Sequence, residues 1–454
     1  MFGRLLKTKS KEVGDTARVA VGLDIGTTKV AVFAGMRDPN GKIRVLGYGK
    51  YQSLGVERGQ VINVAKTVQA ITCAIKEAEE NGVNIDTVMV GIAGQHICNR
   101  QLMGEIKLRE TEKEITQSDV RLLVEDMFKV VVNPGEQIID AIHQEYMVDG
   151  IVVDDPVGVV GTQLSSMFNV ITGNSQQIRN IFRCIQRCQL KMDSLILEPI
   201  ASAEVVLDPR EKEVGVALVD IGGGTTDVVI FLDGLLRHTA VIPIAGDAVT
   251  NDVKRIFGIP KEDAEMLKVK YGSCVPNHGN ERHVITIAGI KDHAESEISE
   301  VELANVIAAR MEEIIDRVME ELHAINCVRS LGCGLVLTGG GARMKDLKPF
   351  TEMRTGLKVR IGNPDEKIIV DNQPDLLNPM FATGLGLLVM GIEKDEYLNP
   401  LPEEPVSTSE TKTRKDIKPV QKEERERKPF IPWTKMQEVF AALIVDDLEE
   451  EDDF

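Results

Sequence analysis

Two stretches of this chain repeat one pattern, VGLDIGTTKVAVFAG from Val21 and VALVDIGGGTTDVVIF from Val216. Each is an apolar β-type run, an aspartate, a short Gly/Thr turn and a second β-type run. That is the pattern of a hairpin presenting backbone N–H groups beside a carboxylate. One such hairpin constrains little. A pair with the aspartate at the same offset points to two related halves facing each other across a nucleotide.

The turn residues suggest an anion. Gly26, Gly222, Gly223 and Gly224 are expected to let the turns adopt positive φ and to bring the backbone close to a bulky ligand. Successive N–H groups, with the hydroxyls of Thr27, Thr28, Thr225 and Thr226, would form a concave phosphate site. Lys29 would supply a point cation, and Asp24, Asp220 and Asp227 would hold Mg²⁺ largely through its waters. No GxxxxGK[ST] run occurs, which disfavours a P-loop enzyme. A third glycine run, GLVLTGGGARMKDL from Gly334, reads as a strand, a turn at Gly339, Gly340 and Gly341, and a helix start with free N–H groups.

In this order, DIGTTKVAVFAG, DIGGGTTDVVIF and LTGGGA resemble the two phosphate loops and the adenosine loop of the actin-like ATPase superfamily. LEPIASAEVVL, residues 197–207, is similar to its connecting helix, which opens on a Glu-Pro pair. Within the superfamily the chain resembles the FtsA family of bacterial cell-division proteins. VMVGIAGQHICNRQLMGEI, PIAGDAVTNDVKRIFGIPKEDAEMLKVKYG and an isolated C-terminal helix carry that likeness, which spans roughly residues 18–392 and the architecture of the tail.

The resemblance implies an α/β actin-like fold, with two duplicated ribonuclease H-like halves around a nucleotide cleft and an inserted subdomain. It implies ATP and Mg²⁺ as ligands, with Asp24 and Asp220 near the metal and Glu198 orienting an attacking water; by itself Glu198 also reads as a carboxylate favoured by a helix dipole. It adds Gly246, Glu265, Lys268 and Ala342 to the nucleotide site, although the first three also read as ordinary helix residues. Nucleotide would act mainly as a polymerisation switch with slow turnover. The implied partners are further copies of the chain in a filament, the C-terminal peptide of FtsZ, other division proteins on the insertion, and the cytoplasmic membrane.

The expected organisation is a flexible leader at 1–17 and a first-half segment at 18–89. The insertion at 90–165, with short β runs around a helix at 119–132, precedes a return to the first half at 166–207. The second half occupies 208–245, its own insertion 246–300, and the adenosine-loop segment 301–370. The chain returns to the first half at 371–393. The apolar spacing of Val64, Val68, Ile71, Ile75 and Ala78 indicates a helix at 64–81, and the sequence from 301 to 326 reads as a long one. At 454 residues the chain needs two or more domains, and its net charge of -18 argues against nucleic acid as a partner. The seven cysteines show no zinc or redox spacing, and Cys184 and Cys188 read as reduced core thiols on one helix face. The opening residues lack the apolar core of a signal peptide, and the longest apolar run, 380–392, is too short to span a bilayer. These features fit a cytoplasmic protein.

Residues 394–428 are rich in charge and proline, which marks a linker. Helical periodicity returns at 429–446, where Phe430, Ile431, Trp433, Met436, Val439, Phe440, Leu443 and Ile444 supply an apolar face. An amphipathic helix on a linker suits in-plane membrane binding, and also suits docking on the protein itself or a partner. The acidic end at 447–454 departs from a basic membrane helix, so anchoring would rest on apolar burial. Of the rival classes, a sugar kinase leaves the tail unexplained. A DnaK-type chaperone would need a further β-sandwich domain. A PilM-like pilus scaffold shares the insertion but lacks the tethered helix.

Overall fold

The computed structural model describes residues 19–80, 82–108, 113–276, 283–287, 295–364, 368–371 and 373–398. The leader, most of the linker, the amphipathic segment at 429–446 and the acidic end lie outside the described residues.

Antiparallel strands Ala20–Ile25, Lys29–Arg37 and Ile43–Gln52 form a meander, and Thr87–Ile92 and then Lys191–Leu197 join it in parallel beyond the first strand. The second half repeats the arrangement. Val216–Ile221, Thr226–Leu232 and Leu235–Ile242 form the meander, and Leu335–Thr338 and Val359–Ile361 extend it in parallel. Among the described residues, the first sheet alone gains an edge strand, Ile368–Val370. The central strands are buried along their whole length, which is why their sequences run apolar without alternation.

A shared apolar core joins the halves. Ala31 and Phe33 of the first sheet cluster with Ala203 and Val206 of the connecting helix and with Val216, Leu218 and Val229 of the second sheet. That helix, Glu198–Val206, has Pro199 in its first turn, where the missing N–H costs nothing. It follows directly on strand Lys191–Leu197. The long helix of the second half runs over Glu300–Ala324 and buries Leu303, Ile307, Met311, Ile314 and Val318 against the sheet.

The insertion is a four-stranded antiparallel sheet, in the order Ile151–Val153, Glu136–Val148, Gln163–Asn174, Cys98–Lys107. Three of its strands are longer than the short runs expected, and Gln163–Asn174 continues past residue 165. The helix is Gln117–Met127, opened by a capping box between Thr116 and Asp119. It ends at Met127, short of the expected 132, and Val131 beyond it is 94% exposed.

The insertion connects through the first half yet bonds to the second. A β-bulge between Ile230↔His238 and Phe231↔Leu236 leaves Arg237 without a ladder partner. Bulges re-aim backbone groups. Here Gln144 Nε2 donates to the Leu236 carbonyl at 2.6 Å, and Asn169 Nδ2 donates to the Leu236 and Arg237 carbonyls at 2.7 and 3.3 Å. Arg237 also pairs with Glu145 at 2.6 Å.

The 246–300 segment comprises helices Gly246–Phe257 and Lys261–Tyr271 and the small strand pair Val284–Ile287 and Ser296–Ser299. The cysteines among the described residues are free. Cys184 and Cys188 sit one turn apart in helix Ser175–Arg187 and at its C-cap, and burial pushes the Cys184 thiol up to about 12. That is consistent with an inert core thiol.

Candidate functional site

The two hairpin turns converge on one cavity of about 720 Å³. The first turn is closed by Gly26 N–H to the Lys29 carbonyl at 3.0 Å, the second by Gly222 N–H to the Thr225 carbonyl at 2.9 Å. The turns meet each other. A Cβ on Gly223 would collide with Thr28 Oγ1, and one on Gly224 would stand 2.5 Å from Thr27 Oγ1. Gly223 and Gly224 are therefore required for close approach, and none of the four turn glycines has the positive φ expected of it. Of the loop glycines only Gly339 lies in that region, at φ 84°. The hydroxyl of Thr27 also accepts from Gly59 N–H at 3.1 Å, which ties the first turn to a neighbouring loop.

Of the carboxylates that line this cavity, four lie beside the turns: Asp24, Glu198, Asp220 and Asp227. Lys29 Nζ contacts Asp24 Oδ2 at 2.6 Å, so the lysine read as a phosphate counter-charge is here paired with a carboxylate. Burial raises Asp220 and, more strongly, Asp227 above the ordinary carboxylate range. Glu198 is pushed well up by burial and then by the charges of Asp24, Asp227 and Asp220, against the opposing Lys29. These four acids crowd round Lys29 at the turns, while Lys50, Lys268, Lys270, Arg343 and Lys345 line the rest of the cavity; the mutual repulsion of the acids disfavours their charged forms.

The acidic corner beside the turns suits a cation. Asp227 Oδ1 is buried without a hydrogen-bond partner, although Oδ2 accepts from Thr225 Oγ1 at 3.1 Å. Among the described residues no three His, Cys, Asp or Glu side chains come close enough to chelate a metal directly. The donor set fits Mg²⁺ held through its own waters and through ligand oxygens, in the manner this hard ion prefers. The cavity volume lies within the range of small-molecule sites.

Gly246, Glu265 and Lys268 line the far wall. Lys268 Nζ reaches Glu265 Oε2 at 2.7 Å, the Thr250 hydroxyl at 2.9 Å and the Gly246 carbonyl at 3.2 Å, which joins two helices at the cavity. Gly339, Gly340 and Gly341 close another side. The third loop differs from expectation: a 3₁₀ turn, Gly340–Arg343, precedes the helix, which starts only at Leu347.

Two expected ligand residues face elsewhere. Thr226 is fully buried and its hydroxyl donates to the Ile244 carbonyl at 2.8 Å, because it is the first residue of a strand and points away from the turn. Ala342 belongs to the apolar core beneath its loop. Three residues not singled out in the sequence belong to the site. Ser202 and Thr383 hydrogen-bond Asp220, and Asp247 lines the cavity. Ser202 lies one helical turn from Glu198, a spacing that would have flagged it; no local signal marks Thr383.

The repeated five-strand order, with paired aspartate hairpins across a cleft and an inserted sheet, defines an actin-like protein. Solved structures share that fold: a PilM–PilN type IV pilus biogenesis complex has a TM-score of 0.60 at 16% identity, covering 82% of this chain and 98% of that one. MreB5 of Spiroplasma citri bound to ADP has a TM-score of 0.51 at 15% identity, covering 84% and 99%. Residues 217–386 match the family model for cell division protein FtsA, and residues 94–172 match the SHS2 domain inserted in FtsA. Cell division protein FtsA of Pseudomonas aeruginosa is 36% identical over 382 residues, 84% of this chain and 90% of the relative. That of Neisseria meningitidis is 36% identical, covering 81% and 88%, and that of Escherichia coli 33%, covering 84% and 92%. The chain belongs to the FtsA family of cell-division proteins.

Proposed function

We propose that the chain binds ATP with Mg²⁺ in the cleft, polymerises, and tethers FtsZ filaments to the cytoplasmic face of the membrane at the division site. The observation that carries the nucleotide reading is the contact of two glycine turns beside four carboxylates at one cavity.

In this reading the turn backbones and the hydroxyls of Thr27, Thr28 and Thr225 take the phosphates. Asp24 and Asp220 hold the metal's water shell. Mg²⁺, when bound, neutralises phosphate charge and polarises the bond to be broken. Glu198 accepts a hydrogen bond from the attacking water, and Lys29 turns from Asp24 toward the phosphates. Glu265 and Lys268 flank the sugar and base. Because each turn belongs to a different half, ligand binding favours the closed arrangement, which suits a polymerisation switch with slow turnover.

The FtsZ peptide is assigned to the 246–300 segment. Ile256, Met266 and Val269 carry exposed apolar side chains there, beside the exposed cations Lys254, Arg255 and Lys270. Division partners are assigned to the inserted sheet, and the membrane to residues 429–446. Among the described residues no helix is long and apolar enough to cross a bilayer, and the proposed attachment needs none. The pilus-scaffold alternative rests on a 16%-identical structure, which shows shared architecture alone.

Binding of the full chain to a peptide of the FtsZ C-terminus, compared with one from a pilus assembly protein, tests the partner assignment. Preference for the FtsZ peptide is expected, and equal or reversed binding would overturn it. ATP titration by calorimetry, with and without Mg²⁺, tests the cleft.

A further inference from the structure

We infer that Ser202 is a positioning residue for Asp220, and that through it the connecting helix senses how the cleft is filled. This rests on the reading of the cleft as a magnesium–ATP site. Ser202 is fully buried, and its hydroxyl lies 2.7 Å from Asp220 Oδ2. Thr383 Oγ1 lies 3.1 Å from Ser202 Oγ and 3.4 Å from the same carboxylate oxygen. Three elements meet at that oxygen: the connecting helix, the second hairpin and the helix Ala382–Leu398.

The two oxygens of Asp220 are thereby made different. Oδ2 receives the hydroxyls, while Oδ1 lies so near Gly339 that a Cβ there would strike it. A carboxylate holding a metal through water works only if its orientation is set before the ligand arrives, because each water-mediated contact depends on an accurately placed acceptor. A hydrogen bond to an ionised group is among the stronger neutral-donor contacts in a buried setting. Without it, Oδ2 keeps only the longer contact from Thr383, at 3.4 Å, and Asp220 is held less firmly.

The helix that carries the clamp begins with Glu198. Residues at i and i+4 share a helix face, so one rigid turn holds both the water-orienting carboxylate and the donor that sets Asp220. Ala201 packs against Met89, Ile196 and Leu387 of the first half, while Ser202 grips the second. A shift of the connecting helix between open and closed states would move Glu198 and release or tighten Asp220 together.

Calorimetric ATP titrations of the full-length protein in Mg²⁺ and in EDTA test this. Ser202→Ala should weaken ATP binding about tenfold in Mg²⁺ and less than twofold in EDTA, while Thr383→Ser, which keeps its hydroxyl, should match wild type. Equal losses in both conditions would reduce Ser202 to a packing role and overturn the proposal, as would no loss at all. Wild-type protein that binds no ATP, or binds it equally with and without Mg²⁺, would overturn the reading of the cleft and the proposal with it. Alanine is the best helix former, so the fold should persist. If Ser202→Ala nonetheless fails to fold, Thr383→Val removes the second hydroxyl at nearly constant shape, and a smaller loss confined to Mg²⁺ is expected, with no such loss again overturning the proposal.

Discussion

Thr28 and Gly223 touch across the cleft: the threonine Oγ1 occupies the place a Cβ on Gly223 would take. The two halves are thus in register at the point where the ligand's phosphates are assigned. Gly223→Ala should push the turns apart and weaken ATP affinity more than tenfold, as read by calorimetry, with the melting temperature nearly unchanged. Unaltered affinity would show that the turns need not approach so closely.

Asn169 donates to two carbonyls freed by the bulge at Arg237, and Gln144 shares one of them. Asn169→Ala should therefore leave the Arg237 carbonyl without this donor while Gln144 still serves Leu236, and cost about 1 kcal/mol in urea denaturation. A further Gln144→Ala change should be non-additive, since the Leu236 carbonyl is common to both.

Asp140 is buried in the inserted sheet, and burial pushes its carboxyl up to about 7, against the hydrogen bond from Ala141 N–H. The unfolded carboxyl ionises near its ordinary value of about 3.9, whereas the folded one keeps its proton until near neutrality. Folding therefore takes up a proton between these values, and the stability contribution of this group is complete below about pH 4 and lost as pH rises toward 7. Asp140→Asn should remove that dependence: stability matching wild type near pH 4 and exceeding it above pH 7 is expected in denaturant titrations.

Glu198 sits at the start of the connecting helix on the cavity wall. Replacing it with glutamine keeps the shape and removes the base. Turnover of ATP should fall about a hundredfold while affinity changes less than twofold. A parallel loss of affinity would assign the residue to binding.

Residues 430–454 carry the apolar face assigned to the membrane. Deleting them should abolish cosedimentation with lipid vesicles while ATP binding stays intact. Sedimentation unchanged by the deletion would place membrane contact elsewhere or remove it.

Sequence alone marked the elements whose signal is local. A hairpin with Asp24 or Asp220 before a Gly/Thr turn is written in consecutive residues, as is Pro199 at a helix start or the helical spacing from Val64 to Ala78. The family likeness followed because these pieces recur in a set order. Of the two reasons for the turn glycines, positive φ does not hold at Gly26, Gly222, Gly223 or Gly224; the crowding between Thr28 and Gly223 arises only when two distant segments meet.

Side-chain direction was decided by tertiary structure. Whether Thr226 faces the ligand or the Ile244 carbonyl depends on strand alternation, where a one-residue step reverses the side chain. Ser202 and Thr383 meet Asp220 from 18 and 163 residues away, and Asn169 meets Leu236 from 67. Such contacts carry no local periodicity, because hydrogen bonding acts over about 3 Å in space whatever the distance along the chain. The composition of the cleft was therefore legible in the sequence, while its geometry, in which carboxylates are pinned and glycines are crowded, exists only once both halves are folded against each other.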